Sequence, residues 1–177
     1  MATETLERKP RQCPVITEQL EQDARDAGIR LEYVQGIPTW ETFPVYRHQK
    51  KIDSIRASIR PTYLSGSPCE CVSVPDLSIL FPDGSVKRPD ISLFCQEPDE
   101  EETICTQIPE VVIEIISKGY EKKDLEISLP FYLAQGIPDI VIFDPATNRI
   151  THYHQGRTDI YNSPQELIFA CGCRATF

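Results

Sequence analysis

No run in the sequence approaches the roughly 20 consecutive apolar residues that a membrane span requires, so no transmembrane segment is expected. The opening residues, MATETLERKPRQ, lack the apolar core of a secretory signal, and a cytoplasmic address is the expectation. Positive charge is scarce, with 18 Lys and Arg against 27 Asp and Glu. That excludes a broad basic surface coating nucleic acid, because phosphate contacts carry most non-specific affinity. One local basic strip remains compatible with it. Cys-x-x-Cys pairs are absent as well. The 7 cysteines (Cys13, Cys69, Cys71, Cys95, Cys105, Cys171 and Cys173) are an odd number in a chain with no small-secreted-domain context. They are expected as reduced thiols packed as small hydrophobes. The alternative joins Cys69-Glu70-Cys71 and Cys171-Gly172-Cys173 into a four-thiolate zinc site. No internal repeat is evident.

What is present suits one folded unit. The 177 residues carry enough apolar content for a continuous core. Residues 1–14, charged and proline-bearing, read as a flexible arm, and residues 15–177 as a single domain. Thr17 is a candidate N-cap for a helix running to about Ala27, with Gly28 as its stop. Ile29 to Val34 alternates as a half-buried strand does, and Gly36 and Pro38 break it. Tyr46 to Arg60 reads as a helix, with Ile52, Ile55 and Ile59 on one face and Arg47, Lys50, Lys51, Arg56 and Arg60 on the rest. This basic segment is either a solvated face or a DNA contact. His48, which opens it, is expected as a surface or capping residue.

Short strands follow at Cys71 to Val74 and Leu77 to Phe81. Pro82-Asp83-Gly84 turns the second into Val86 to Cys95. Glu97 to Glu102 is expected as a solvated, mobile loop. Val111 to Ile116 has a buried-strand pattern, and a helix from about Tyr120 to Gln135 ends at Gly136. Ile140 to Phe143 is a second apolar strand. Strand, helix and strand in that order predict a right-handed crossover and a parallel pair. Ile150 to Tyr153 and Glu166 to Ala170 are expected as edge strands, with His152 and His154 as surface side chains.

Glu114 stands out because its five neighbours in Val111 to Ile116 are all Val or Ile. An ionised carboxylate left alone in such surroundings costs several kcal/mol. Its compensation is either a buried Arg or Lys or a metal ion, or it works as a general base. Asp90 is its natural partner, since Arg88, Asp90 and Ser92 share one face of their strand and Ile91, Leu93 and Cys95 the other. Two carboxylates on neighbouring strands, with a backbone carbonyl nearby, make a hard oxygen site suited to Mg²⁺ or Mn²⁺.

These residues fall into an ordered set: Arg88-Pro89-Asp90, then Pro109 to Ser117 around Glu114, then Asp124, Tyr132, Gly136-Ile137-Pro138-Asp139 and Asp144-Pro145. Glu32 with Gly36, and His48, match the same pattern more weakly. The set resembles the Uma-type family of endonucleases within the PD-(D/E)XK restriction-endonuclease-like superfamily, over about residues 29–155. The resemblance implies an α/β fold, a mixed central sheet flanked by helices, with the Glu114 strand central. It also implies Mg²⁺ or Mn²⁺ held by Asp90, Glu114 and the carbonyl of Ile115, and hydrolysis of DNA phosphodiester bonds. The DNA would meet the 46–60 helix, and a homodimer stands open.

The sequence departs from the pattern at its lysine. The superfamily places it two residues after the Glu, where Ile116 stands, and the Uma-type family in the following helix, where Ser128 stands. Lys118, Lys122 and Lys123 are close by, so the expected catalytic set is Asp90, Glu114, Lys118 and Lys123. Pro130 is expected to kink or restart its helix. The alternative function is a non-catalytic nuclease-fold module binding nucleic acid or a protein partner.

Overall fold

The computed structural model describes residues 18–62, 70–99, 104–117, 119–120 and 122–177. The expected arm at 1–14, the Thr17 cap, Cys13, Cys69 and Lys118 lie outside them. Helix α1 (Glu18–Asp26) leads into strands β1 (Ile29–Val34) and β2 (Ile37–Thr42). The expected break at Gly36 and Pro38 is in fact a hairpin. Gln35 and Gly36 both take positive φ, 51° and 79°, which suits a two-residue turn between twisted strands. Pro38 is tolerated because β2 lies at the edge of its sheet, where a missing N–H breaks no inner ladder.

Helix α2 (Tyr46–Ser58) buries Ile52 and Ile55 as the spacing predicts. After β3 (Arg60–Pro61) come β4 (Val72–Pro75), β5 (Ile79–Leu80), β6 (Val86–Lys87) and β7 (Ile91–Phe94). The single strand expected over 86–95 therefore divides in two. Pro89 has no N–H to give a ladder, and the chain passes there from one sheet to another. The strand β6 joins the sheet ordered β2-β1-β6-β5, whereas β7 enters the main sheet.

The remaining elements are β8 (Val111–Ile115), a π-helical turn (Lys123–Ser128), α3 (Leu129–Ala134), β9 (Asp139–Asp144), β10 (Arg149–His154), β11 (Arg157–Asn162), β12 (Glu166–Ile168) and β13 (Cys173–Thr176). The main sheet has the order β11-β10-β9-β8-β7-β4, which puts the Glu114 strand in its interior. The strands β8 and β9 are parallel and their other neighbours antiparallel, so the mixed α/β sheet is as expected. Pro130 stands in the first turn of α3. The π turn just before it is the widened form that a lost i→i−4 bond and a crowded carbonyl call for.

Alternation along β8 sorts the core. Val111, Ile113 and Ile115 pack under Ile52 and Ile55 of α2, with Leu167, Phe169 and Phe177 closing that side. Val112 points to the other face, where Leu129, Phe131 and Tyr132 cover Ile140 and Ile142. Each fully buried side chain of this size contributes about 1.5–3 kcal/mol, so both faces are well anchored. Glu114, two residues on from Val112, shares the second face.

Two expectations need correction. Strand β10 is interior rather than an edge, so His152 is buried, with Nε2 2.7 Å from Asp139 Oδ1. Strand β12 is an edge as expected, in a separate sheet with β13 and β3. The cysteines are not all thiols: Cys71 and Cys95 form a disulfide, Cys173 is also disulfide-bonded, and Cys105 and Cys171 are thiols. Register explains the first bond, because the pairing of Val72 with Phe94 sets Cys71 opposite Cys95. Among the described residues no helix is long and apolar enough to cross a membrane.

Candidate active site

Asp90 immediately precedes β7, and Glu114 is the fourth residue of β8. The pairing of Ile91 with Ile113 brings the two acids to the same level of the sheet. There Glu114 bonds the backbone of Asp90, and Asp90 bonds the backbone of Ile115 next to Glu114. Glu114 Oε2 accepts from the Asp90 N–H at 3.3 Å, and Asp90 Oδ2 accepts from the Ile115 N–H at 2.8 Å. Tyr132 reaches up from α3 and donates its hydroxyl to Glu114 Oε1 at 2.7 Å. Both carboxylates are buried, 5 % and 4 % exposed, at the floor of a cleft of about 280 Å³.

His48 was expected at the surface but is buried, because the first turn of α2 lies across the end of β8. Its Nε2 is 2.9 Å from the Ile115 carbonyl and 3.2 Å from Asp90 Oδ2. Its Nδ1 has no hydrogen-bond partner among the described residues. Burial works to lower the His48 pKa, but the hydrogen bond and charge of Asp90, with the Ile115 carbonyl, raise it on balance. Nε2 of His48 thus stands between the Ile115 carbonyl and the Asp90 carboxylate.

Behind this group runs a second buried charge cluster. Lys87 Nζ donates to Glu32 Oε2 at 2.6 Å and to Ser128 Oγ at 3.0 Å. Lys123 Nζ is 2.9 Å from the same Glu32 oxygen, and Glu32 Oε1 accepts from the Arg88 N–H at 2.9 Å. Burial alone would raise the Glu32 pKa, but Lys87 and Lys123 hold it at about 2. Glu114 goes the other way. Burial, then the charge of Asp90, push it up to about 7 against the same two lysines. Burial and Glu114 keep the Tyr132 hydroxyl neutral, so it can donate. Arg30 Nη1 stands 3.8 Å from Asp90 Oδ1.

Of the expected site residues, Asp90, Glu114, Ile115 and Lys123 come together in space. Lys118 lies outside the described residues, and Lys122 is exposed. The slot at Ser128 is not short of a cation, since the ammonium of Lys87 occupies it from 41 residues away in sequence. Lys87, Arg30 and Tyr132 had no role in the expected catalytic set. The signals for them are that Tyr132 stands in the ordered set, that Lys87 adjoins Arg88-Pro89-Asp90, and that Arg30 lies two residues before Glu32 in the same strand. Of the basic strip, Arg47 and Lys51 line the cleft, while Arg56 donates to the Ser73 carbonyl at 3.1 Å and braces the fold.

The donor set fits a hard divalent cation: two buried carboxylates and a carbonyl on one level, one carboxylate raised to about 7 by burial and by the charge of the other. Comparisons with known proteins bear on family and fold. Residues 17–169 match the family Uma2, described as "Putative restriction endonuclease". A crystal structure of a putative nuclease belonging to DUF820 from Anabaena variabilis is similar with a TM-score of 0.60 and 21 % identity, covering 78 % of this chain and 79 % of that one. No curated protein matches.

Proposed function

The chain belongs to the Uma2 family, and from that premise we propose that it is a metal-dependent endonuclease that hydrolyses DNA phosphodiester bonds in the cleft above Asp90 and Glu114. One observation carries the reading. Glu114 is fully buried beside a second acid, and its pKa rises to about 7 although two lysines stand nearby. A site built only for stability would have matched that acid with a cation, as Glu32 is matched.

Asp90, Glu114 and the carbonyl of Ile115 would hold Mg²⁺ or Mn²⁺. The chemistry such an ion supplies when bound is charge at the phosphate and a water of lowered pKa. The protein's own residues do the rest. Asp90, fixed by the Ile115 N–H, and Glu114, fixed by Tyr132, are oriented before any ligand arrives. His48, with Nε2 between the Ile115 carbonyl and Asp90 Oδ2, would hold these two groups in place. Lys87 and Lys123 act from behind the acids as positioning residues, supplying the positive potential that the absent motif lysine would give. Arg47 and Lys51 on the cleft wall would meet the DNA backbone.

A nicking assay on supercoiled DNA tests this, with Mg²⁺, Mn²⁺ or chelator. Cleavage should need the metal and fall about a hundredfold or more in Asp90→Asn or Glu114→Gln. Cleavage that survives both substitutions would end the proposal. A second reading, a non-catalytic nuclease-fold module, is favoured by Lys87 being fully buried and bonded to Glu32 and Ser128. Metal binding without cleavage of any DNA would select it.

A further inference from the structure

Three cysteines that the cleft does not use converge at one edge of the fold, and a fourth is bonded to one of them. Cys71 precedes β4, Cys95 follows β7, and Cys171 and Cys173 belong to the turn and first residue of the C-terminal hairpin. The sulfurs of Cys71, Cys171 and Cys173 all lie within 4.8 Å of one another, and Cys95 Sγ is bonded to Cys71 at 2.06 Å. Cys71 and Cys171 pack against the same core cluster that contains Cys173. The remaining described cysteine, Cys105, is elsewhere, beside the Gln107 carbonyl.

We propose that these four cysteines, when reduced, form a tetrathiolate zinc site that ties the edge of the main sheet to the C-terminal hairpin. Disulfide pairing uses sulfurs two at a time and leaves Cys171 as a thiol beside two bonded sulfurs. A tetrahedral Zn²⁺ uses all four at once, with Zn–S near 2.3 Å and hence sulfur separations of roughly 3.8 Å. Cys71, Cys171 and Cys173 already lie near that spacing, and Cys95 would part from Cys71 on reduction to reach it. The Cys-x-Cys turn is also held for the purpose, since the Gly172 carbonyl accepts from the Thr62 N–H at 2.7 Å and from its hydroxyl at 2.9 Å.

The chemistry balances in two steps. A phosphine or thiol reductant gives two electrons to the Cys71–Cys95 bond and two to the bond that Cys173 makes with a cysteine other than these, and two protons per bond complete the thiols, one of which is not a ligand. Zn²⁺ then displaces four protons as the thiolates bind.

The test is a metal titration of full-length protein in a phosphine reductant, carried out on the Asp90→Asn,Glu114→Gln variant so that the cleft takes no metal. One zinc per chain is expected, and Co²⁺ in its place should show thiolate-to-metal charge transfer and tetrahedral ligand-field bands. Cys171→Ser breaks no disulfide and should remove one thiolate from that spectrum and weaken zinc retention. Cys105→Ser should change neither. A folded, reduced chain that retains no zinc, or a Co²⁺ spectrum without thiolate bands, overturns the proposal, whether or not the cleft proves to be a nuclease.

Discussion

Glu32 and Glu114 are the same residue type, both buried to within a few per cent, and they share two lysines, yet their pKa values part to about 2 and about 7. Distance and company decide the difference. Lys87 and Lys123 contact Glu32 directly at 2.6 and 2.9 Å, while Glu114 has Asp90 beside it and only a neutral phenol as donor to Oε1. One carboxylate is finished by the fold. The other is left wanting a cation, and it is the one at the floor of a cleft. Buried acids of these two kinds separate structural from functional charge in a way that burial alone does not.

Removing the structural half should have the largest effect. Lys87→Met leaves Glu32 and Ser128 without the ammonium they share, and breaking a buried pair in this way costs about 3–5 kcal/mol. Urea denaturation should show that loss. Adding Glu32→Gln should recover a large part of it, because it removes the stranded charge. An unchanged midpoint in Lys87→Met would mean that Lys123 alone suffices for Glu32.

The pH dependence of stability sharpens the comparison. Glu32 is depressed when folded, so its contribution is present above its unfolded value near 4.5 and is lost as pH falls towards about 2. Glu114 is raised when folded, so stability is lost as pH climbs from about 4.5 through about 7. Glu114→Gln should therefore flatten the neutral limb, by a few kcal/mol at pH 8 relative to wild type, and leave the acid limb alone. Mn²⁺ should raise the wild-type Tm more at pH 8 than at pH 6, because the proton and the metal compete for Glu114. That gain should vanish in the variant. Thermal melts across pH, with and without metal, read all of these.

The smallest effect concerns where the cation enters. Lys87 Nζ is 3.0 Å from Ser128 Oγ, so Ser128→Lys alone would set two ammonium groups together and should destabilise. Ser128→Lys,Lys87→Met moves the cation to the helix without changing the count. It should regain about 1–2 kcal/mol of the loss seen in Lys87→Met and retain metal-dependent nicking within about tenfold of wild type. Nicking that disappears in this double variant would tie the chemistry to the Lys87 stem and not to the charge alone.

Much of this molecule is readable before folding. The alternation around Val112 and Ile113 and the strand, helix, strand order at 111–143 lead directly to two core faces and a parallel pair, because side-chain periodicity is a local property. Asp90 and Glu114 stand out for the same reason, as acids in apolar company. The hairpin at Gln35-Gly36 was hidden by Pro38, whose cost depends on whether its strand is an edge. The burial of His48 and His152 likewise depends on which elements cover them, α2 crossing β8 in one case and β11 flanking β10 in the other.

The sequence by itself determined that two carboxylates would be carried on apolar strands of a mixed α/β sheet, since hydrophobic spacing and turn residues act over a few positions. Only the tertiary structure decided which buried acids are neutralised and by what. Lys87 answers for the empty position at Ser128, Lys123 turns to Glu32, and His48 closes over Ile115 and Asp90. Electrostatic compensation falls off with distance through space, and residues 32, 48, 87, 90, 114 and 123 become neighbours only when the chain has folded.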